Sequence, residues 1–138
     1  MNRRNARKNA FFLVFQMDFN EKEAFEEAKQ LFFDHQEEAV EEEEKLFILK
    51  ETEGTKKHLA EIDEMIDKKA KKWDTGRMSK VDLAILRLAI YEICFSEEIP
   101  TSVAINEAVE LAKKFSSDEA PSFINGILGS IAAERQNQ

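Results

Sequence analysis

The chain has few of the residues that interrupt regular structure or cross-link it. Its 138 residues include four glycines, two prolines and one cysteine. So few breakers, long stretches rich in Glu, Lys, Ala and Leu, and no sustained period-2 alternation predict an all-α domain. The single cysteine, Cys94, cannot form an intrachain disulfide, and a chain without disulfides is typical of the cytoplasm.

Long hydrophobic runs are also missing. No apolar run approaches the ~20 residues that a membrane-spanning helix needs. The N-terminal stretch RRNARKNAFFLVF (residues 3–15, called the leader below) has an apolar core of only FFLVF. That core is shorter than the ~7–15 residues of a signal peptide, and no small-x-small cleavage site follows it. We therefore expect a cytoplasmic protein without a membrane span.

The sequence lacks the motifs of common catalytic and metal sites. It has no P-loop, dinucleotide-binding or nucleophile-elbow motif. His35 and His58 have no cysteine partner or H-E-x-x-H spacing nearby. Asp82 and Arg87 are five residues apart, about 140° around a helix, so they do not share a face. Arg87 is expected to be a buried or half-buried ion-pair partner. We expect no catalytic residue, no bound metal and no cofactor.

Helical periodicity divides the chain into about seven helices. The first is expected over about residues 3–18 with Asn2 as its N-cap, and the second over about 21–35. A third begins in QEEAVEEEEKLFILK and is expected to end at Gly54, with Thr55 capping the next helix. The segment KVDLAILRLAIYEICF is apolar on every side, which predicts a central helix that is buried nearly all round.

The leader combines positive charge with aromatic side chains. Its four cations stand within residues 3–8 of a chain whose net charge is −8. On a helix, Arg4 and Lys8 share a face with Phe15. This arrangement is typical of single-stranded nucleic-acid binding, in which cations neutralise phosphates and exposed rings stack on unpaired bases. The residues alone leave alternatives open: aromatic side chains in the core, solvated cations, or a helix lying on an anionic membrane.

Four segments together carry a resemblance to a known family. They are the leader, ILRLAIYEI, IPTSVAINEAVELAKKF and FINGILGSIA. In order and spacing they closely resemble NusB, the family of bacterial transcription antitermination factors, whose opening R-R-x-A-R-x-x-A the leader matches. The four segments cover about half of the chain, and residues 20–70 match in helical character only. The resemblance implies two helical subdomains, about residues 1–73 and 77–136.

The same resemblance implies a function. Members of the family bind the boxA RNA element of ribosomal RNA operon leaders jointly with the ribosomal protein NusE, in an RNA polymerase complex that reads through terminators. The RNA-binding positions correspond here to Arg3, Arg4, Arg7, Lys8, Phe15, Lys113, Lys114 and Ser117. The NusE surface corresponds to Asp82, with Arg77 and Lys80 nearby. Ser116 stands where the family usually has glycine, which changes the expected backbone of that loop.

Two other functions remain as alternatives. The chain could be a protein–protein interaction module whose acidic body engages a basic partner without touching RNA. It could also form a homodimer that stores the protein with the leader hidden. The domain also occurs fused to an RNA cytosine methyltransferase, but this sequence ends at Gln138 without a methyl-donor domain, so we expect the non-enzymatic, stand-alone factor.

Overall fold

The computed structural model describes most of the chain as helix. It describes residues 2–19, 40–70 and 78–136, together with Glu26, Lys29, Gln30 and Phe33. Within the three continuous ranges the chain forms six helices and no strand: α1 (Arg3–Met17), α2 (Glu42–Lys57), α3 (Leu59–Ala70), α4 (Lys80–Cys94), α5 (Thr101–Phe115) and α6 (Ala120–Gln136). The predicted all-α class is confirmed. The helix predicted over 21–35 lies outside the described residues except for the four single ones, and the boundary predicted between 73 and 77 lies outside them altogether.

Helix α4 lies at the centre of the fold. Every residue from Leu83 to Ile93 is buried, and α4 contacts each of the other five helices. The Ser79 hydroxyl caps its start by accepting the Asp82 backbone N–H at 3.1 Å. The prediction of a central helix buried nearly all round is therefore confirmed.

Helix α1, which carries the leader, packs on α2 and α4. Its predicted N-cap is confirmed, because the Asn2 side-chain oxygen accepts the backbone N–H of Asn5 at 2.8 Å. Its buried apolar residues are Ala6, Ala10, Phe11, Leu13 and Val14. Burying this stripe fixes α1 against the core and leaves the rest of its circumference for other contacts.

The prediction that a helix ends at Gly54 is wrong. Helix α2 continues through Gly54 and Thr55 to Lys57, and His58 separates it from α3. A Cβ atom at Gly54 would overlap the ring of Tyr91 on α4, so the glycine serves the close approach of α2 and α4 rather than a helix end. Thr55 is fully buried and its hydroxyl donates to the Glu51 carbonyl at 2.7 Å, so it does not cap a new helix.

Arg87 is the buried ion-pair partner that the sequence predicts. It lies on α4, is only 6% exposed, and donates two hydrogen bonds of 2.8 Å to Asp63 on α3. A third, of 3.1 Å, reaches Asp18, which follows the last turn of α1. These bonds hold three helices at one point.

Candidate nucleic-acid interface

A groove of about 320 Å³ lies between the start of α1 and the second half of α5. We call it the cationic groove, because five of its nine lining residues are Lys or Arg. The lining residues are Arg4, Asn5, Arg7, Lys8, Glu107, Glu110, Leu111, Lys113 and Lys114. The structure thus brings five of the eight sequence-predicted RNA-binding residues to one place, from two distant parts of the sequence.

Two of these cations are paired with acids inside the groove. Arg4 is 64% exposed and forms an ion pair of 3.0 Å with Glu107 of α5, whose side chain is only 14% exposed. The hydrogen bond and the charge of Glu107 raise the pKa of Arg4 above its usual value. Lys113 pairs at 3.3 Å with Glu110 on its own helix, where both side chains are well exposed. The other cations of the rim, Lys8 and Lys114, are half-buried and exposed, respectively.

Arg7, one of the four leader cations predicted to meet phosphate, is paired with a buried acid in this structure. It is 5% exposed, and its Nε donates to both carboxylate oxygens of the buried Glu92, at 2.7 and 3.1 Å. The physical reason is its position on the helix face of Phe11 and Val14, which packs into the core. In this structure Arg7 forms the inner end of the groove and binds α1 to α4.

Glu92 also contacts a second buried acid, Glu51 of α2, which is 2% exposed. Burial, together with the charge of Glu92, raises the pKa of Glu51 to about 10. Glu51 is therefore protonated at neutral pH and can share a hydrogen bond with Glu92. Sequence reasoning missed Glu51, because it stands in a helix with many other glutamates.

Arg3 lies outside the cationic groove. It is exposed, and its guanidinium carbon is 4.0 Å from the centroid of the Phe47 ring on α2. The guanidinium of Arg7 lies 5.5 Å from the same ring. A cation over an aromatic face is held by the electrostatics of the ring. Phe47 therefore holds two arginines of the leader by cation–π contacts. No pattern in the sequence indicated this role of Phe47.

Phe15 lies near the other end of α1. Its half-buried ring is 5.0 Å from that of Phe19, at an interplanar angle of 58°, and Phe19 is 59% exposed. At 1.5 Å per residue, Phe15 stands about 16 Å along the helix from Arg4. The ring of Phe12 instead packs between α1 and α5, 5.4 Å from that of Phe115.

A second cavity, which we call the loop pocket, has a volume of about 440 Å³. It is lined by Met78, Ser79, Asp82, Ser117, Glu119, Ala120 and Phe123. It brings Ser117, a predicted RNA contact, together with Asp82, a predicted NusE contact. The Ser116 hydroxyl donates to the Asp82 carboxylate at 2.5 Å. Ser116 has φ −122° and ψ −168°, extended backbone that any residue adopts, so this loop does not need glycine there.

The other residues expected at the NusE surface are Lys80 and Arg77. Lys80 lies in the first turn of α4 and pairs with Asp18 at 2.6 Å, with about half of its side chain exposed. Arg77 lies outside the described residues. Asp82 and Lys80 therefore share one end of α4, next to the loop pocket.

The described part of the chain shows neither a metal-binding cluster nor a membrane-spanning helix. Among those residues, no group of three or more His, Cys, Asp or Glu could hold a metal ion. No helix within the same ranges is long and apolar enough to cross a membrane. Burial raises the pKa of the half-buried Cys94 thiol, which lowers its reactivity.

The fold and the groove define a class: an all-α protein whose arginine-rich first helix lines a cationic groove. The sequence model of the NusB family matches residues 4–133. The chain belongs to the NusB family, as its resemblance implied. The transcription antitermination protein NusB of Agathobacter rectalis is 45% identical over 132 residues, 96% of this chain and 100% of the relative. That of Clostridium novyi is 44% identical over 131 residues, 95% of this chain and 98% of the relative.

Solved structures agree with the fold. NusB of T. maritima superposes with a TM-score of 0.86 at 36% identity, covering 97% of this chain and 92% of that one. A complex of the antitermination factors NusB and NusE with double-stranded RNA contains a chain that superposes with a TM-score of 0.79 at 25% identity, covering 96% of each.

Proposed function

We propose that this chain is a transcription antitermination factor that binds boxA-type RNA of ribosomal RNA operon leaders together with the ribosomal protein NusE, within an RNA polymerase antitermination complex. The observation that carries the proposal is the cationic groove. Two distant parts of the sequence meet there and bring five Lys or Arg side chains beside two glutamates, in a chain of net charge −8. Family membership supports the same function.

The groove would bind the sugar–phosphate backbone. Arg4, Lys8, Lys113 and Lys114 present cations to phosphate oxygens, and each phosphate neutralised on a single strand contributes about −0.7 to the log–log salt slope. Arg3 adds a guanidinium whose central carbon lies 4.0 Å from the centroid of the Phe47 ring. Each phosphate that is neutralised releases the counterions bound to it. The affinity for RNA should therefore fall as the salt concentration rises.

The aromatic end of α1 would bind a base. Phe15 presents part of its ring beside the exposed Phe19, and stacking an unpaired base on an aromatic ring contributes ~1–3 kcal/mol. Arg7, which is also predicted to meet phosphate, would position the helix that carries Arg4 and Lys8 through its bond to Glu92.

NusE would bind at the start of α4. Asp82 offers a half-buried carboxylate there, with Lys80 in the same turn of the helix; Arg77, which the resemblance adds to this surface, lies outside the described residues. Ser117 and Asp82 both line the loop pocket, so RNA and NusE would meet at this edge. Four or five cations give modest affinity, and a partner that contacts the same RNA raises it by effective concentration. We infer an adaptor, not an enzyme, that acts in the cytoplasm.

A paired substitution tests the RNA site. Lys8→Ala/Lys114→Ala removes two groove cations, so we expect weaker binding to a single-stranded boxA-like RNA and a salt slope smaller by about 1.4. The matched control, Lys57→Ala/Lys68→Ala, removes two exposed lysines outside the groove and should bind as the parent does. Fluorescence anisotropy at several salt concentrations, with and without NusE, measures both quantities.

The result also separates the alternatives. If the groove variant keeps the affinity and the slope of the parent, RNA does not use this groove. A protein-interaction module would bind NusE equally well with and without RNA. A homodimeric storage form would sediment as a dimer that RNA converts to monomer.

A further inference from the structure

Glu107 is an acid in a groove proposed to bind an anion. It is 14% exposed, against 42% for Glu110 on the same helix. Its carboxylate also bridges two helices, because it stands on α5 and bonds to Arg4 on α1. An acid in this groove would repel phosphate and so reduce RNA binding. The position of Glu107 therefore indicates that the carboxylate has another role.

The bond between the two residues is made along one edge of the guanidinium. Arg4 Nε donates to Glu107 Oε1 and Oε2 at 3.3 and 3.2 Å, and Nη2 donates to Oε1 at 3.0 Å. An arginine side chain has five N–H donors. This pair does not use the Nη1 donors or the outer hydrogen of Nη2. Because Arg4 is 64% exposed, that outer edge is accessible to a ligand.

We propose that Glu107 is a positioning residue for RNA binding, which holds Arg4 with its outer edge ready for a phosphate. The inference rests on the proposed function. A long arginine side chain loses rotamer freedom when a ligand immobilises it, and that loss weakens binding. Glu107 restricts the side chain before RNA arrives. Guanidinium and phosphate then meet in the two-pronged geometry that arginine favours.

Glu110 provides a matched control. It is one turn further along α5, lines the same groove and carries the same charge. In the described part of the chain it forms an ion pair with Lys113 on its own helix, at 3.3 Å. Removing either acid changes the net charge of the groove equally. Simple electrostatics therefore predicts tighter RNA binding for both variants, whereas positioning predicts weaker binding for Glu107→Ala alone.

The test compares Glu107→Ala, Glu110→Ala, Arg4→Ala and the double variant Arg4→Ala/Glu107→Ala. The affinity for a single-stranded boxA-like RNA is measured over a range of salt. We expect Glu107→Ala to weaken binding by about 3- to 10-fold and to reduce the salt slope by about 0.7, because the Arg4 contact is lost. Glu110→Ala should bind more tightly than the parent, because it removes a negative charge from the groove, and without Arg4 the change Glu107→Ala should no longer weaken binding.

A conservative variant and the melting temperature separate positioning from folding. Glu107→Gln keeps an oxygen that accepts one bond from Arg4, so its affinity should lie between those of the parent and Glu107→Ala. Arg4→Ala and Glu107→Ala remove the same bridge and should lower the melting temperature equally.

Three results would overturn the inference. Glu107→Ala could bind as tightly as the parent while Arg4→Ala binds weakly, which refutes positioning and leaves the proposed function intact. Glu107→Ala could weaken binding equally with and without Arg4, which shows that it acts elsewhere. Arg4→Ala could bind as the parent does, which removes Arg4 from the proposed RNA site and the inference with it.

Discussion

Replacing Glu51 by glutamine should make the protein more stable at neutral and alkaline pH. The Glu51 carboxyl is 2% exposed, and burial beside Glu92 raises its pKa to about 10. In the unfolded chain a glutamate has a pKa of about 4.3. Between these values the folded state holds a proton that the unfolded state has released. The free energy of unfolding therefore decreases as pH rises through this window.

The size of the effect follows from the linkage. Each pH unit in the window changes the free energy of unfolding by about 1.4 kcal/mol. From the pKa of glutamate in the unfolded chain up to pH 7, the free energy of unfolding of the parent thus decreases by roughly 3 kcal/mol. Glutamine has nearly the same shape, donates a hydrogen bond to Glu92 as the protonated acid does, and does not titrate. We expect Glu51→Gln to be about 2–3 kcal/mol more stable than the parent at pH 7 and close to it near pH 4.5.

Urea unfolding followed by circular dichroism between pH 4.5 and 9 measures this difference. Glu53→Gln is the matched control, because Glu53 lies two residues away on α2 with 45% of its side chain exposed. The control should follow the pH dependence of the parent. The reasoning would be refuted if Glu51→Gln were less stable than the parent by the same amount at every pH.

Two further substitutions test the packing around α4. Arg87→Met removes the cation between Asp18 and Asp63 and leaves both carboxylates without that partner. The free energy of unfolding, measured with denaturant, should therefore decrease by about 3–5 kcal/mol. A decrease of under 1 kcal/mol would contradict the buried network. Gly54→Ala should destabilise by about 1–3 kcal/mol, because the new methyl group meets the Tyr91 ring, although alanine favours helix. In a Tyr91→Ala background, Gly54→Ala should lose most of this destabilising effect, which calorimetry measures. If the effects of the two substitutions were additive, the overlap would be refuted.

Helices α1 and α4 were predictable because their signals are local. An N-cap side chain, an apolar stripe and a continuous apolar run act within one or two turns. Gly54 shows where local rules fail. A glycine after a helical run usually ends the helix, but here the approach of Tyr91 from another helix decides, and no short-range pattern contains that information.

The candidate site was predictable in its cations and not in its acids. The resemblance to the NusB family pointed to Arg4 and Lys113, and packing then placed them in one groove. Helical spacing could not tell that Arg7 faces the core, because the buried face of α1 is wide. Glu107 had no distinguishing signal among 28 acidic residues. Its partner is 103 positions away in the chain.

Helix α1 is fastened to α4 at two points. Near its start, Arg7 bonds to Glu92, and just past its end Asp18 bonds to Arg87. The two ion pairs involve Arg7 and Asp18, which are eleven residues apart. Helix α1 therefore cannot shift along α4 or rotate against it without breaking a buried ion pair. The end of α1 that is proposed to bind phosphate and the end that is proposed to bind a base therefore keep fixed positions on α4. In the proposed RNA complex, α1 would therefore accept only one spacing between a bound phosphate and a stacked base.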